Sequence, residues 1–404
     1  MINKLPTGWK IVTIDDVFDV IRGISFPKSA RTEESEHYVG CLRTANVQRT
    51  IEWDDLWKVP SSYLPSKEKL VQENDIIIST ANSLNLLGKS AMVKNVPMPS
   101  TFGTFVVNLR ARLDDPKYLY YYLQSRMFME QVAEQASTTT NISNISTTKL
   151  KRLLVPIPEF SEQKRIVARI EELFSELDSG VETLRKTKQS LAVYRQAVLK
   201  NVFDGAVGCG MGTIQSVCSD IVDCPHSTPK WTSEGKICLR TTNFKRGYLD
   251  LSEKNYVSDE TFDKRNARLV PMPGDVLYSR EGAILGIACI IPDDLFVCLG
   301  QRMMLLRTNE KMLGRFLMHY LNSPKVTSFV TTKIGGSASP HVNVRDIKNF
   351  IVPIPSVQEQ EKMLEQIESR LSVCDSIEKT VDTALQQAEA MRQSILKKAF
   401  EGKL

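Results

Sequence analysis

The sequence has few of the residues that carry chemistry. Its four histidines, at 37, 226, 319 and 341, stand in no spacing that suggests a triad or a cluster of metal ligands. It has no Gly-rich cofactor loop and no Asn/Asp-Pro-Pro-aromatic motif of the kind a DNA methyltransferase needs. The nearest approach to a phosphate loop is Ser83 to Ser90, ending Gly88-Lys89-Ser90. Ser83 stands where the first glycine belongs, and the segment is expected between strands rather than before a helix, so no nucleotide site is expected. Pro292-Asp293-Asp294 lacks a following acid-x-Lys, which argues against a nuclease centre. None of the eight cysteines is in a Cys-x-x-Cys pair, so they read as reduced thiols. The one set to weigh for zinc, Cys209, Cys218, Cys224 and His226, fits no usual zinc spacing. Neither catalytic nor metal-binding residues are expected, and binding is the better default.

Long apolar runs are missing too. The longest, around Ala283 to Ile291, falls short of the roughly 18 residues that span a bilayer. Met1 to Pro6 has no apolar signal-peptide core. A cytoplasmic protein with no membrane contact is expected. Apolar residues make up 42% and charged residues 25%, enough for real cores in two or three domains. The net charge of +5 permits nucleic-acid binding without arguing for it alone.

What is present is an internal repeat. Val155-Pro156-Ile157-Pro158 recurs as Val352-Pro353-Ile354-Pro355, an offset of 197. Without a gap, the same offset carries Glu162-Gln163 onto Glu359-Gln360 and Asp178-Ser179 onto Asp375-Ser376. It also carries Arg195-Gln196 onto Arg392-Gln393, Phe203 onto Phe400 and Gly205 onto Gly402. Between 148–207 and 345–404, 20 of 60 positions are identical, too many in one gapless register for accident. Upstream the repeat is weaker: Leu42-Arg43-Thr44-Ala45-Asn46 matches Leu239-Arg240-Thr241-Thr242-Asn243, Asn74-Asp75-Ile76 resembles Gly274-Asp275-Val276, and Arg110 matches Arg307. The chain reads as two half-molecules, each a variable domain with a common tail.

Each tail is a helix. Ile170, Leu177, Leu184, Leu191 and Val198 recur every seven residues, as do Ile367, Cys374, Val381, Ala388 and Ile395. Six heptads with this seam predict a coiled coil. The alternate seam positions are expected at Ile166, Leu173, Gly180, Thr187 and Tyr194, and at Met363, Arg370, Ile377, Ala384 and Met391, with Gly180 and Thr187 as weak points and Arg370 as a misfit. Ser356 with Glu359 forms a capping box, Ser161 is placed to cap the first copy, and Gly205 and Gly402 stand where glycine stops a helix. Helices over 162–203 and 359–400 are expected to pair antiparallel; packing of each on its own domain alone is the alternative. Residues 162–203 hold eight basic and six acidic side chains and residues 359–400 the reverse, so the basic excess lies elsewhere, where DNA is expected.

The variable domains read as mixed α/β. Strands are expected at Ile76-Ile77-Ile78, Phe105-Val106-Val107, Val276-Leu277-Tyr278 and Met303 to Leu306, with one aromatic helix each, Pro116 to about Glu134 and Met312 to about Leu321. The fold class is therefore α+β: two mixed α/β variable domains separated by two long antiparallel coiled-coil helices, with a pseudo-two-fold internal repeat. The expected domains are 1–155, 156–207 (first helix), 208–352 and 353–404 (second helix).

These motifs, in this duplicated order, resemble the specificity subunit of type I restriction–modification enzymes over essentially the whole chain. The residues that carry the resemblance are Leu5-Pro6-x-Gly8-Trp9, Ile21-Arg22-Gly23, Leu42-Arg43-x-x-Asn46-Val47, Leu87-Gly88-Lys89-Ser90 and Phe102-Gly103, and above all the doubled Pro-Ile-Pro…Glu-Gln starts and Leu-Lys-x-x-Phe-x-Gly ends. The resemblance implies a non-catalytic chain whose domains each read half of a split double-stranded DNA target. It implies two methyltransferase subunits docked on the helices and two restriction (translocase–nuclease) subunits. It also implies no cofactor in this chain, S-adenosylmethionine, ATP and Mg being held by the partners. A specificity subunit serving one fused methyltransferase–nuclease partner is the alternative, separable by neighbouring genes. The second domain lacks the first domain's Gly-Lys-Ser and Phe-Gly, so the two should read different half-sequences.

Loop Arg, Asn, Ser and Lys side chains can reach base edges or phosphates. The candidates are Arg43, Asn46, Ser79, Asn82 and Lys89 in the first domain, and Arg240, Asn243, Ser279, Arg280 and Arg302 in the second, with Asn141, Asn144 and Ser337 as further loop residues. Arg43 and Arg240 match across the repeat, which equally suits service to a common fold. His226 and His341 are expected to be ordinary loop histidines. The helix-pairing candidates are Ile170, Leu177, Leu184, Leu191, Val198, Ile367, Val381 and Ile395.

Overall fold

The computed structural model describes residues 5–31, 37–139, 142–206, 208–333 and 340–404. The chain forms two compact units, residues 1–184 with 383–404, and residues 185–382. The division falls inside the two long helices, Phe160–Asp204 and Val357–Phe400, so each unit takes part of both. Among the described residues no helix is long and apolar enough to cross a membrane.

In the first unit an antiparallel sheet orders Phe18–Arg22, Val106–Ala111, Ile76–Ser79 and Ser90–Met92. A smaller sheet pairs Tyr38–Leu42 with Trp57–Pro60 and, in parallel, with Ser100–Phe102. Ile76 and Ile78 face one core and Ile77 another. The strand is covered on both sides, which explains why its sequence is a continuous apolar run rather than an alternation. The second unit repeats this plan with Cys218–Asp223, Met303–Thr308, Val276–Ser279 and Ala288–Ile290. There Val276 and Tyr278 face one core and Leu277 the other. This is the doubled α+β architecture expected.

The matched residues explain the repeat. Buried Asp75 accepts two hydrogen bonds from Arg110, both 2.8 Å, and buried Asp275 two from Arg307, 2.8 and 2.7 Å. The residue before each acid is left-handed, Asn74 at φ 68° and Gly274 at φ 86°, the backbone state that Asn and Gly tolerate best. The aromatic helix expected over Pro116 to about Glu134 is two, Pro116–Leu123 then Arg126–Gln135, while that expected over Met312 to about Leu321 is Gly314–Leu321, with a further helix, Pro324–Lys333, after it. Ser125 breaks the first by accepting the Phe128 N–H, and Pro324 opens a new first turn in the second. Phe105 lies in a turn rather than in the strand that follows it.

Each long helix is clamped at its start by the Gln of the Glu-Gln motif. Gln163 donates to Pro158 O (3.1 Å) and Asp114 Oδ1 (2.7 Å) and accepts from Asp115 N (2.9 Å). Gln360 does the same with Pro355 O (3.0 Å), Lys311 O (2.8 Å) and Leu313 N (2.8 Å). Ser356 and Glu359 form the expected capping box. Ser161, expected to cap the first helix, lies inside its first turn, which Glu159 O begins by accepting from Glu162 N and Gln163 N. Gly402 is left-handed at φ 67°, whereas Gly205 ends its helix without that conformation.

Within the first unit Asp178 pairs with Arg392; within the second Lys188 pairs with Asp382 at 2.7 Å and Arg195 with Asp375 at 2.6 Å. Residue numbers rise along one helix as they fall along the other, so the pairing is antiparallel. The offset of 197 maps the Asp178–Arg392 pair onto Arg195–Asp375. Ile170, Leu191, Val198, Ile367 and Val381 are buried, and Leu177, Leu184 and Ile395 half-buried. The alternate seam positions are mixed: Ile166 is buried and Leu173 and Met363 half-buried, but Tyr194, Ile377 and Met391 are 50%, 40% and 55% exposed. The second seam row lies four residues after the first, at Phe174, Val181, Lys188, Arg195 and Val202, and at Leu371, Glu378, Leu385, Arg392 and Ala399. Its charged members hid it from an apolar pattern. Gly180, Thr187 and Arg370 are therefore off the seam.

The helix ends finish the cores. Phe400 packs edge-on to Tyr118 and Tyr122 with ring centroids 5.3 and 5.1 Å apart. Phe203 does the same to Phe316 and Tyr320, also at 5.3 and 5.1 Å.

Candidate DNA interface

In the first unit, loops converge where the central strands end. Gly103 N–H donates to Leu42 O (2.8 Å), Thr80 N–H to Phe105 O (2.9 Å), Ser79 N–H to Lys89 O (2.8 Å) and Ile145 N–H to Thr80 O (3.0 Å). Ala81–Asn82, Ser143–Asn144 and Ser137–Thr138 add a small three-stranded sheet. These bonds bring Arg43, Asn82, Lys89, Phe105 and Asn144 to one end of the unit. Asn141 lies outside the described residues.

The second unit builds the same end. Gly300 N–H donates to Leu239 O (2.9 Å), Arg280 N–H to Arg302 O (3.0 Å), Gly286 N–H to Ser279 O (2.8 Å) and Val342 N–H to Arg280 O (2.9 Å). Glu281 bridges to His341 in place of the small sheet. Arg240, Gln301 and Arg302 gather there. Ser337 lies outside the described residues.

The ten sequence candidates separate by burial. Asn46 is buried; its Oδ1 accepts from Arg43 N and its Nδ2 donates to Glu52 O and Asp55 O, at 3.0–3.1 Å. Asn243 repeats this with Arg240 N, Asp250 O and Glu253 O, all at 2.9 Å. Ser79 and Ser279 are buried, Ser279 Oγ being bonded to Ile287 N at 2.9 Å. Arg280 is buried, with Nε and Nη2 donating to Asp223 at 2.7 and 2.9 Å and Nη1 paired with Glu281 at 2.5 Å. These five meet partners inside the fold or have no outward face. Arg43, Asn82 and Lys89 are half-buried; Arg240 and Arg302 are exposed. Arg43 pairs with Asp55 and lies over Trp57, with 5.1 Å from Cζ to the ring centre; Arg240 lies over Trp231 at 5.6 Å. Lys89 donates to Gln48. His226 Nε2 sits 3.1 Å from Asp223 Oδ2 on a loop.

Phe105, expected in a strand, is exposed in a turn at this end of the first unit. The offset of 197 lays Phe105 on Arg302. No group of three or more potential metal ligands occurs among the described residues, so Cys209, Cys218, Cys224 and His226 do not form one there. All eight cysteines are free. The segment Ser83 to Ser90 runs from a single 3-10 turn, Leu84–Leu86, into the strand Ser90–Met92, not into a helix.

A family model described as the type I restriction modification DNA specificity domain matches residues 6–186 and 224–387, well over half of the chain. The EcoKI specificity subunit of Escherichia coli K12 is 25% identical over 423 residues, covering 100% of this chain and 90% of that protein. The StySPI specificity subunit of Salmonella potsdam is 27% identical over 431 residues, with the same coverage. A solved chain from work on complex assembly and conformational transition of the type I system superposes with a TM-score of 0.71. It covers 99% of this chain and 100% of that one at 19% identity, a likeness of fold. Specificity subunits are the non-catalytic, DNA-recognising members of their complexes, and this chain belongs to the type I restriction–modification specificity subunits.

Proposed function

We propose that this chain selects a bipartite double-stranded DNA target, each unit reading one half-sequence, and that its long helices set the distance between the halves. The observation behind this is the loop-built end that both units repeat with the same backbone bonds and different outward side chains. Contact with DNA is assigned to Arg43, Asn82 and Lys89 in the first unit and to Arg240 and Arg302 in the second. Asn46, Ser79, Asn243, Ser279 and Arg280 act behind them by holding the loops. Exposed Tyr194 and Ile377 on the helices suit docking of a partner. Two methyltransferase subunits, binding S-adenosylmethionine to modify adenine, and two ATP- and Mg-dependent restriction subunits complete the assembly, which works on DNA in the cytoplasm. The domains proposed are 1–155 and 208–352 for recognition, with 156–207 and 353–404 as helices.

The test is a domain exchange. Residues 1–155 are replaced by the matching segment of a relative, the chain is co-expressed with its methyltransferase, and methylated adenines are mapped. One half of the consensus should change and the other persist. A change in both halves, or no bipartite consensus for the parent chain, overturns the reading.

A further inference from the structure

We propose that positions 105 and 302 are one base-reading position used twice: Phe105 meets the 5-methyl group of a thymine in the first half-site, and Arg302 takes a guanine in the second. This rests on the reading that each unit meets one half of a DNA target, and it names the side chains that make the halves differ.

The two residues occupy the same place on the same scaffold. Each follows a glycine by two residues, Gly103 and Gly300, whose N–H is bonded to the strand beside it, at 2.8 Å to Leu42 O and 2.9 Å to Leu239 O. The carbonyl of each accepts from the residue after the central strand, Thr80 at 2.9 Å and Arg280 at 3.0 Å. The next residue returns to the sheet opposite a buried serine, Val106 opposite Ser79 and Met303 opposite Ser279. The backbone is thus pinned before, at and after the position. A side chain held this way reaches a ligand with little ordering left to lose on binding.

Both side chains point outward. Phe105 is 64% exposed and Arg302 is exposed. One exposed phenylalanine is common and carries nothing by itself. What carries the inference is that the pinned, outward position is chemically different in the two halves, while the supports behind it are alike. Asn46 equals Asn243, Ser79 equals Ser279 and Asp75–Arg110 equals Asp275–Arg307. A doubled reader of two unlike half-sequences must vary its outward residues and keep its supports, and this position does so. The second unit also accepts strain here. Arg302 has φ 69°, a left-handed backbone that costs a non-glycine residue about 1 kcal/mol. Gly282 leaves room for its guanidinium, since a Cβ there would lie 3.2 Å from Nη1.

The ligand chemistry follows from the side chains. Phenylalanine has no donor or acceptor, so it cannot read the polar pattern of a base edge. The apolar feature of the major groove is the thymine 5-methyl. Arginine offers two parallel donors, which match guanine O6 and N7.

The test uses the full chain assembled with its methyltransferase. The consensus is first mapped with the parent chain. Oligonucleotide targets then carry uracil in place of each first-half thymine, one at a time, which removes only the methyl group. Others carry 7-deazaguanine in place of each second-half guanine, which removes only N7. One uracil should weaken the parent by about 4-fold and leave Phe105→Ala unaffected. One 7-deazaguanine should weaken the parent by roughly 5- to 150-fold and leave Arg302→Ala unaffected. Each variant's methylation map should loosen at that one base pair and nowhere in the other half. Phe105→Leu and Arg302→Lys take their place if an alanine variant fails to assemble; the lysine keeps the charge and loses the paired donors. A parent with a bipartite consensus whose variants keep it at every base pair overturns this assignment, as does a first half without thymine. A parent with no bipartite consensus overturns the underlying reading instead.

Discussion

At one level of the shared scaffold the first unit carries Tyr121 and the second His319; at another, Arg49 and Arg246. Tyr121 packs edge-on to Phe174 with ring centroids 5.7 Å apart, and burial lifts its hydroxyl to about 12. His319 is buried beside Arg315, and burial, with that cation, lowers its pKa to about 4. Arg49 pairs with Asp178 of the first long helix at 2.7 Å, whereas Arg246 reaches Asn322 O at 3.4 Å, with burial drawing its pKa down. The frame of buried Asp–Arg pairs, Gln clamps and Asn-held turns is the same in both. Where a polar group completes the frame the repeat keeps it; elsewhere the units have diverged, to the point of different ionisation.

The largest break in the comparison should come from the aromatic closures. Phe400→Ala removes a buried ring from the first core and should cost about 3–5 kcal/mol there, and Phe203→Ala the same in the second. Denaturant melts combined with limited proteolysis locate the loss; equal loosening of both units by either variant would show that the cores are not separate.

Acid should separate the units next. The folded pKa of His319, about 4, lies below its ordinary 6.5, so the unfolded chain takes up the proton first. The second unit is fully stable above about pH 6.5 and loses stability as pH falls towards 4, by about 2 kcal/mol at pH 5. Hydrogen exchange by unit between pH 7.5 and 5 measures this. His319→Gln should flatten the slope, and an unchanged slope would count against the cause.

A chain ending at Val207 makes the two halves identical. It loses Phe400, so it should fold only as a two-fold dimer in which Phe203 of a second copy covers Tyr118 and Tyr122. With its methyltransferase it should then select a palindromic target. Asp178 again meets Arg195. Lys188, however, meets Arg185, because the offset maps Asp382 onto Arg185. Arg185→Asp should tighten the dimer by about 1 kcal/mol, read by sedimentation. A monomeric, inactive fragment under saturating partner would refute the two-half design.

The smallest effect is expected from Arg49→Ala, less than ~1 kcal/mol on the first unit and diminishing with salt, since the pair is exposed. A calorimetric scan at two salt concentrations suffices.

Much of this architecture was legible because the repeat is gapless where the helices lie, and because Asp75–Arg110 and Glu162–Gln163 carry obligations that substitution would break. The second seam row was not legible. Lys188, Arg195, Glu378 and Arg392 stand where an apolar pattern demands apolar residues, and their partners become visible only when the helices are laid side by side. Which loop candidates are buried is illegible for a related reason. Asn46, Asn243, Ser79 and Ser279 read as polar loop residues, and a sequence does not show that the fold buries them. Phe105 reads as strand because it opens the apolar run Phe105-Val106-Val107, whereas the strand begins at Val106.

The closure of the first unit has a consequence for synthesis. Tyr122 leaves the ribosome 278 residues before Phe400, which completes its core. At about 5–20 residues per second that is roughly 15–55 s. During that interval the first unit offers a bare aromatic face, while the second, whose Phe203 is made before its own sheet, can close as it emerges. The nascent first half is therefore the one that needs shelter, whether from a chaperone or from the end of a neighbouring nascent helix that fits the same gap.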